Sequence, residues 1–187
     1  YMKSGNAAVG SRRLFDVRTM ALIGVSAAII AVFAPWKIPV GPIPITLATF
    51  AIYFVSAVLG AYKGTVATAI YILLGAVGVP VFSGFAGGFH VVAGVTGGYI
   101  VGYIFCALVT GLFCDKMHHW IKYPIGMVLG TVVLYAFGTA WYCILAKSAL
   151  MPALAACVFP FIGFDILKIA AASIVAARIK PVLERMS

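Results

Sequence analysis

Apolar positions fall into six runs along the chain, at 17–34, 46–62, 65–79, 99–113, 124–146 and 160–179. The last is about 20 residues, the length an α-helix needs to cross a bilayer. The pattern therefore predicts six transmembrane helices. Between the first two runs, Pro35, Pro39, Pro42 and Pro44 fall within ten residues. Proline removes backbone donors and fixes φ, so 35–44 cannot be helix. It reads as a stiff apolar loop at the membrane interface, with Trp36 as an anchor. Lys63 and Gly64 make a tight connection between runs two and three. The segment 80–98 holds Gly84, Gly87, Gly88, Gly94, Gly97 and Gly98 and no Lys, Arg, Asp or Glu. Irregular backbone at membrane depth is tolerated only when buried in protein or lining a cavity. This segment is thus expected to fold inward and form part of a pocket. The piece 147–159 reads as a short amphipathic helix along the surface.

Composition agrees. The chain is 64% hydrophobic and 9% charged, where soluble domains run at roughly 45–50% and 25%. Mean hydropathy is +1.15. Nothing is left over for a large soluble domain. Residues 1–12 are expected to be an N-terminal tail, part of it a cloning remnant or frayed, and 13–187 one six-helix transmembrane domain. The net charge of +9 does not indicate nucleic acid, because the cations are scattered with no basic stripe or recognition module. They read as topology signals. Lys3, Arg12, Arg13, Arg18, Lys63, Lys116, Lys122, Arg178, Lys180 and Arg185 share one side, and only Lys37 and Lys147 lie on the other. That bias predicts both termini cytoplasmic and the loops 35–45, 80–98 and 147–159 outside. Cys106, Cys114, Cys143 and Cys157 form no CxxC pair and read as small buried hydrophobes.

One run breaks its own rule. Asp165 and Lys168 stand three residues apart near the outer end of run six, a spacing that places them on one helix face. A charge inside a spanning helix costs roughly 2.5–3.5 kcal/mol on insertion scales, so such a residue marks a functional site. A structural ion pair is the competing reading. The charges, the proline loop and the glycine-rich loop converge on one outward-facing pocket. There Lys168 can hold a carboxylate and Asp165 can accept from N–H groups, with the start of its helix favouring the negative charge. Phe82, Phe85, Tyr99 and Phe164 supply aromatic walls. Thr46, Ser83, His90 and Thr96 complete the candidate binding set. The ligand so described is a small amphiphile with an acid tail and N–H donors.

Other chemistry is not signalled. There is no GxxxxGK[ST] and no HExxH, so neither a P-loop ATPase nor a zincin is indicated. His118 and His119 are adjacent and point to different helix faces. Asp165 has no second membrane acid, as an intramembrane aspartyl protease requires. No catalytic residues, metal site or cofactor are expected. Run one carries a second surface: Ala21, Gly24, Ala28 and Ala31 recur at helical spacing, with Ala27 beside them. Small residues let another helix approach closely, either inside the bundle or on a partner protein.

The motifs Gly41-Pro42-Ile43-Pro44-Ile45-Thr46-Leu47, Gly78-Val79-Pro80-Val81-Phe82, Gly87-Gly88, Thr96-Gly97-Gly98-Tyr99 and Pro160-Phe161 followed by Asp165 and Lys168 occur in one order. Over about 13–178 the chain resembles the BioY family, biotin-specific S-components of energy-coupling factor (ECF) transporters. The resemblance implies an all-α, six-helix S-component bundle in the bacterial cytoplasmic membrane that binds biotin from outside. It implies that Asp165 and Lys168 bind the ligand's polar groups. It also implies that the small face of run one docks on a membrane coupling protein (T-component) driven by two ATPase subunits. Some members are reported to act without a dedicated module, which leaves stand-alone action or a homo-oligomer open. A self-sufficient carrier and an S-component for another vitamin are the alternatives, although a cationic vitamin such as thiamine would not favour Lys168. Two positions depart from the family pattern. Ala48 stands where Gln is usual, losing a polar contact, and Phe164 stands where Gly usually precedes the acid, placing a bulky ring beside it.

Overall fold

The computed structural model describes residues 16–39, 43–117 and 119–185. The expected tail at 1–12, Arg13, Gly41, Pro42 and His118 lie outside these residues. The elements are α1 (Val17–Phe33), β1 (Lys37–Ile38), β2 (Ile45–Thr46), α2 (Ala48–Ala76), α3 (Phe89–Ala93), α4 (Gly97–Lys116), α5 (Lys122–Ala146), α6 (Leu150–Cys157) and α7 (Phe159–Arg185). Helices α2, α4, α5 and α7 are long and apolar enough to cross a membrane, and α1 is a shorter apolar helix. Large apolar side chains such as Val132, Ile144 and Ile174 point outward, as a lipid-facing surface requires.

The expected break between runs two and three is real but lies earlier than Lys63. Helix α2 is interrupted at Gly60, where φ is 83° and ψ is −179°. A Cβ built on Gly64 would fall 2.7 Å from the Cα of Ser56. Eight residues of straight helix span about 12 Å, so the chain has turned back and the two arms of α2 lie side by side. Glycine reaches that positive φ without a steric cost. The break frees the N–H of Ala61, which donates to Asp115 Oδ2 at 2.8 Å. An acid at the end of α4 thus caps the second arm.

Helix α4 packs on both α2 and α5. Glycines permit the close approach: Gly111 lies against Ala61, and Gly126 and Gly130 lie against Thr110. The core between these helices holds Tyr53, Cys106, Met127 and Leu134. Tyr53 keeps its hydroxyl satisfied there by pairing with Thr131 Oγ1 at 2.5 Å. All four cysteines are free, and Cys106, Cys114 and Cys157 are buried.

The described flanks of the proline loop are not helical, and they are more ordered than a plain loop. β1 and β2 pair antiparallel, with Lys37 opposite Thr46 and Ile38 opposite Ile45. The glycine-rich segment folds back on it. Gly84 N–H donates to Pro35 O at 2.8 Å, and Gly88 N–H donates to Gly75 O at 2.7 Å. The segment's far end is held by Trp141 Nε1, which donates to Gly94 O at 3.1 Å. The piece at 147–159 contains α6, with Ala153 and Cys157 buried and Leu150 and Met151 exposed.

Candidate ligand-binding site

The second and third turns of α7 place Asp165 and Lys168 on its inner face, at 4% and 9% exposure. Lys168 Nζ donates to Asp165 Oδ1 at 3.0 Å and to Thr49 Oγ1 at 3.0 Å. The Tyr135 hydroxyl of α5 donates to Asp165 Oδ2. Each carboxylate oxygen therefore has a donor. An ammonium has three donors, and among the described residues these two acceptors leave Lys168 one for a ligand. Asp165 is the seventh residue of α7, beyond the first turn, where the helix-terminus effect fades. Lys168 and Tyr135, not the helix end, offset its charge.

The pair opens on a small crevice of about 40 Å³, walled by Thr46, Thr49, Tyr99, Tyr103, Tyr135 and Phe161. Thr46, Tyr99 and Tyr103 are shared with an adjoining cavity of about 280 Å³. That second cavity is the larger of the two. Tyr71, Phe82, Ala86, Val91 and Ile100 line it, together with Lys37, Ala48, Ser83 and Thr96. Ser83 Oγ is buried without a hydrogen-bond partner among the described residues. A buried, unpaired hydroxyl in a cavity wall is costly unless a ligand uses it. The arrangement is a mostly apolar chamber with Lys37 and an orphan hydroxyl on its wall and a charged, hydrogen-bonded end.

The loops make this chamber. Phe82 is 1% exposed and stands edge-on to Tyr71, with ring centroids 5.8 Å apart. It lies so close to Gly75 that a Cβ there would overlap its ring. Tyr99 is positioned by Thr139 Oγ1 at 3.1 Å and by Gly138, whose missing Cβ leaves room for the ring.

Of the ten candidates read from the sequence, seven meet around the two cavities: Thr46, Phe82, Ser83, Thr96, Tyr99, Asp165 and Lys168. Three do not. Phe85 takes φ 59°, which turns its exposed ring away from the chamber and against Trp36, at 6.2 Å between centroids. It clamps the two loops together instead of forming a wall. His90 is exposed on α3. Phe164 is 44% exposed and faces an outer cleft that Trp36, Leu167, Thr46 and Lys168 also line. Helical rotation separates it from the inward face of its neighbour Asp165, so the ring does not enter the crevice. Ala48 lines the apolar chamber. Sequence reasoning missed Thr49, Tyr71, Tyr103 and Tyr135. Tyr135 was findable by asking which donor serves the second oxygen of a buried acid.

On α1, Ala21, Gly24 and Ala28 are exposed and Ala31 is half-buried, and a Cβ on Gly24 would meet nothing within 4 Å. Ala27 departs from the expected outer face. It is 2% exposed and packs into the core with Ile23 and Ile30.

A family model described as the BioY family matches residues 6–185. The biotin transporter BioY of Thermotoga maritima is 38% identical over 164 residues, covering 88% of this chain and 96% of that protein. The biotin transporter BioY of Rhodobacter capsulatus is 33% identical over 177 residues, covering 87% of this chain and 93% of its own. A crystal structure of the S-component for biotin from an ECF-type ABC transporter is similar in fold. Its TM-score is 0.81 and its identity 25%, over 96% of this chain and 95% of that one.

Proposed function

The chain belongs to the BioY family, and on that premise we propose that it is the biotin-capturing subunit of a vitamin uptake transporter. It is a multi-pass membrane protein, and its family is one of transporters, not enzymes. In this reading it crosses the bacterial cytoplasmic membrane six times, through α1, the two arms of α2, α4, α5 and α7. The Lys and Arg asymmetry supports cytoplasmic termini and a chamber that opens outward.

The observation that carries the proposal is the buried Asp165–Lys168 pair at the end of an apolar chamber. Biotin has an apolar fused ring and chain, a ureido group with two N–H donors, and a carboxylate. The aromatic chamber takes the apolar body, which is the hydrophobic part of the binding energy. Asp165 accepts from N–H, and the remaining Lys168 donor takes a carbonyl or carboxylate oxygen. Ser83 supplies a further polar contact. The pair is already formed and oriented by Thr49 and Tyr135, so the ligand meets a preorganised end.

Delivery inward needs energy that the chain does not supply, since it carries no phosphate-binding loop. A coupling membrane protein and two ATPase subunits are its proposed partners, with the open face of α1 at Ala21, Gly24 and Ala28 as the contact. Uptake of labelled biotin by cells expressing the chain tests this. Uptake is expected only when the energising subunits are co-expressed, and excess unlabelled biotin, but not thiamine or riboflavin, should abolish it. Full uptake without those subunits would instead establish a self-sufficient carrier.

A further inference from the structure

Lys37 is a cation in the wall of the larger chamber. It lies on β1, directly opposite Thr46 of β2. Opposed residues of an antiparallel ladder share one face, so the register that puts Thr46 in the chamber puts Lys37 there too. The Lys37 ammonium lies against Gly84, where a Cβ would overlap it. Gly84 takes φ 73°, which glycine reaches without steric cost. The residue before it is Ser83, whose buried hydroxyl has no partner among the described residues. Lys37 is likewise without an ion pair or a side-chain hydrogen bond among them. Both line the larger cavity, and neither lines the crevice around Asp165. No Asp or Glu is among the described lining residues of that larger cavity. Lys37 is exposed and also borders the outer cleft, so it stands at the chamber's edge.

We infer that Lys37, with the Ser83 hydroxyl, holds the carboxylate of the captured ligand. This rests on the biotin reading above and divides the ligand between two polar ends. The Asp165–Lys168 end suits a carboxylate poorly. An oxygen of Asp165 sits 3.0 Å from Lys168 Nζ, so a second carboxylate on that ammonium would face a like charge. The same pair offers an acceptor and a donor side by side. A cyclic urea matches that pattern, because its N–H stands next to its C=O. A carboxylate instead needs donors with no acid beside them, and the Lys37 ammonium and Ser83 hydroxyl are such a set. The apolar lining of Tyr71, Phe82, Val91 and Ile100 is left for the ring and chain.

The test is calorimetric titration of the detergent-purified chain with biotin and with biotinamide, which keeps the ureido ring and chain but carries no negative charge. The parent is expected to bind biotin roughly tenfold more tightly than the amide, the lower end for a hydrogen bond to a charged group because Lys37 is solvated. Lys37→Gln should lose about tenfold for biotin and bind the amide within about twofold of the parent, so that the preference disappears as in a double-mutant cycle. Lys37→Arg, which keeps the charge, should keep the preference. Asp165→Asn should weaken both ligands by the same factor, because it acts at the ureido end. Equal affinity of the parent for the two ligands overturns the inference, and this reading needs no variant to fold. A preference that survives in Lys37→Gln also overturns it and assigns the carboxylate to Lys168. Equal loss of both ligands in Lys37→Gln overturns it too, by making the lysine a support of the loop. Binding of neither ligand by the folded parent would instead overturn the biotin reading itself.

Discussion

At the scale of the residue, the account rests on how Asp165 is tolerated inside an apolar helix. Two charges in a low-dielectric interior are stable together only when hydrogen bonds complete them, and removing one partner typically costs about 3–5 kcal/mol. Here Thr49 and Tyr135 complete the pair. Tyr135→Phe is therefore expected to weaken biotin binding by about 1.5–3 kcal/mol, the range for a hydrogen bond to a charged group. An unchanged affinity in that variant would remove Tyr135 from the site. The sequence showed Asp165 and Lys168 plainly, because charge is rare in such a run. Tyr135 and Thr49 were invisible because each is one ordinary residue in a long apolar segment. Their role appears only when α2 and α5 are brought against α7. Phe85 and Phe164 fall outside the two cavities for a related reason. Aromatic type names a wall-forming side chain, but backbone φ at Phe85 and helical phase at Phe164 decide which way it faces.

At the scale of the element, glycines set where backbones meet and where they turn. The tight connection was readable from the sequence, yet the break falls at Gly60 because Asp115 of α4 waits there to take the freed N–H of Ala61. No local signal distinguishes Gly60 from Gly64. A side chain at Gly60 would face both a positive φ and the Asp115 carboxylate, 2.6 Å from its Cβ. Gly60→Ala should accordingly lower thermal stability by more than about 1 kcal/mol, seen as an earlier unfolding transition in detergent. Gly75 makes a more specific case. Its absent side chain is where the Phe82 ring rests, so Gly75→Ala should push Phe82 into the chamber. Overpacking of this kind costs about 1–3 kcal/mol, and here it should appear as lost biotin affinity. A variant that binds as tightly as the parent would show that the chamber wall gives way freely. The inward folding of 80–98 was legible from glycine without charge. Its ties to Pro35 and Trp141 were not, because they join segments far apart in sequence.

At the scale of the whole molecule, capture and energy coupling are assigned to different surfaces. The chamber lies between the two loops, α2 and α4, its charged end reaches α5 and α7, and the exposed small residues of α1 point away from the core. Gly24→Trp should therefore block energised uptake while leaving the biotin Kd within about twofold, because a bulky ring on an exposed face disturbs docking more than folding. Loss of binding in that variant would place α1 in the ligand site instead. The central claim is that the Asp165–Lys168 pair is the polar end of a biotin site, and calorimetric titration of biotin into purified parent, Lys168→Ala and Asp165→Asn proteins tests it most directly. The account predicts tight binding by the parent and a loss of about 2 kcal/mol or more in each variant, as for removal of a buried hydrogen-bonded charge partner. Tight binding left intact in both folded variants would contradict it and make the pair a structural pin. No binding by a folded parent would remove biotin from the account altogether.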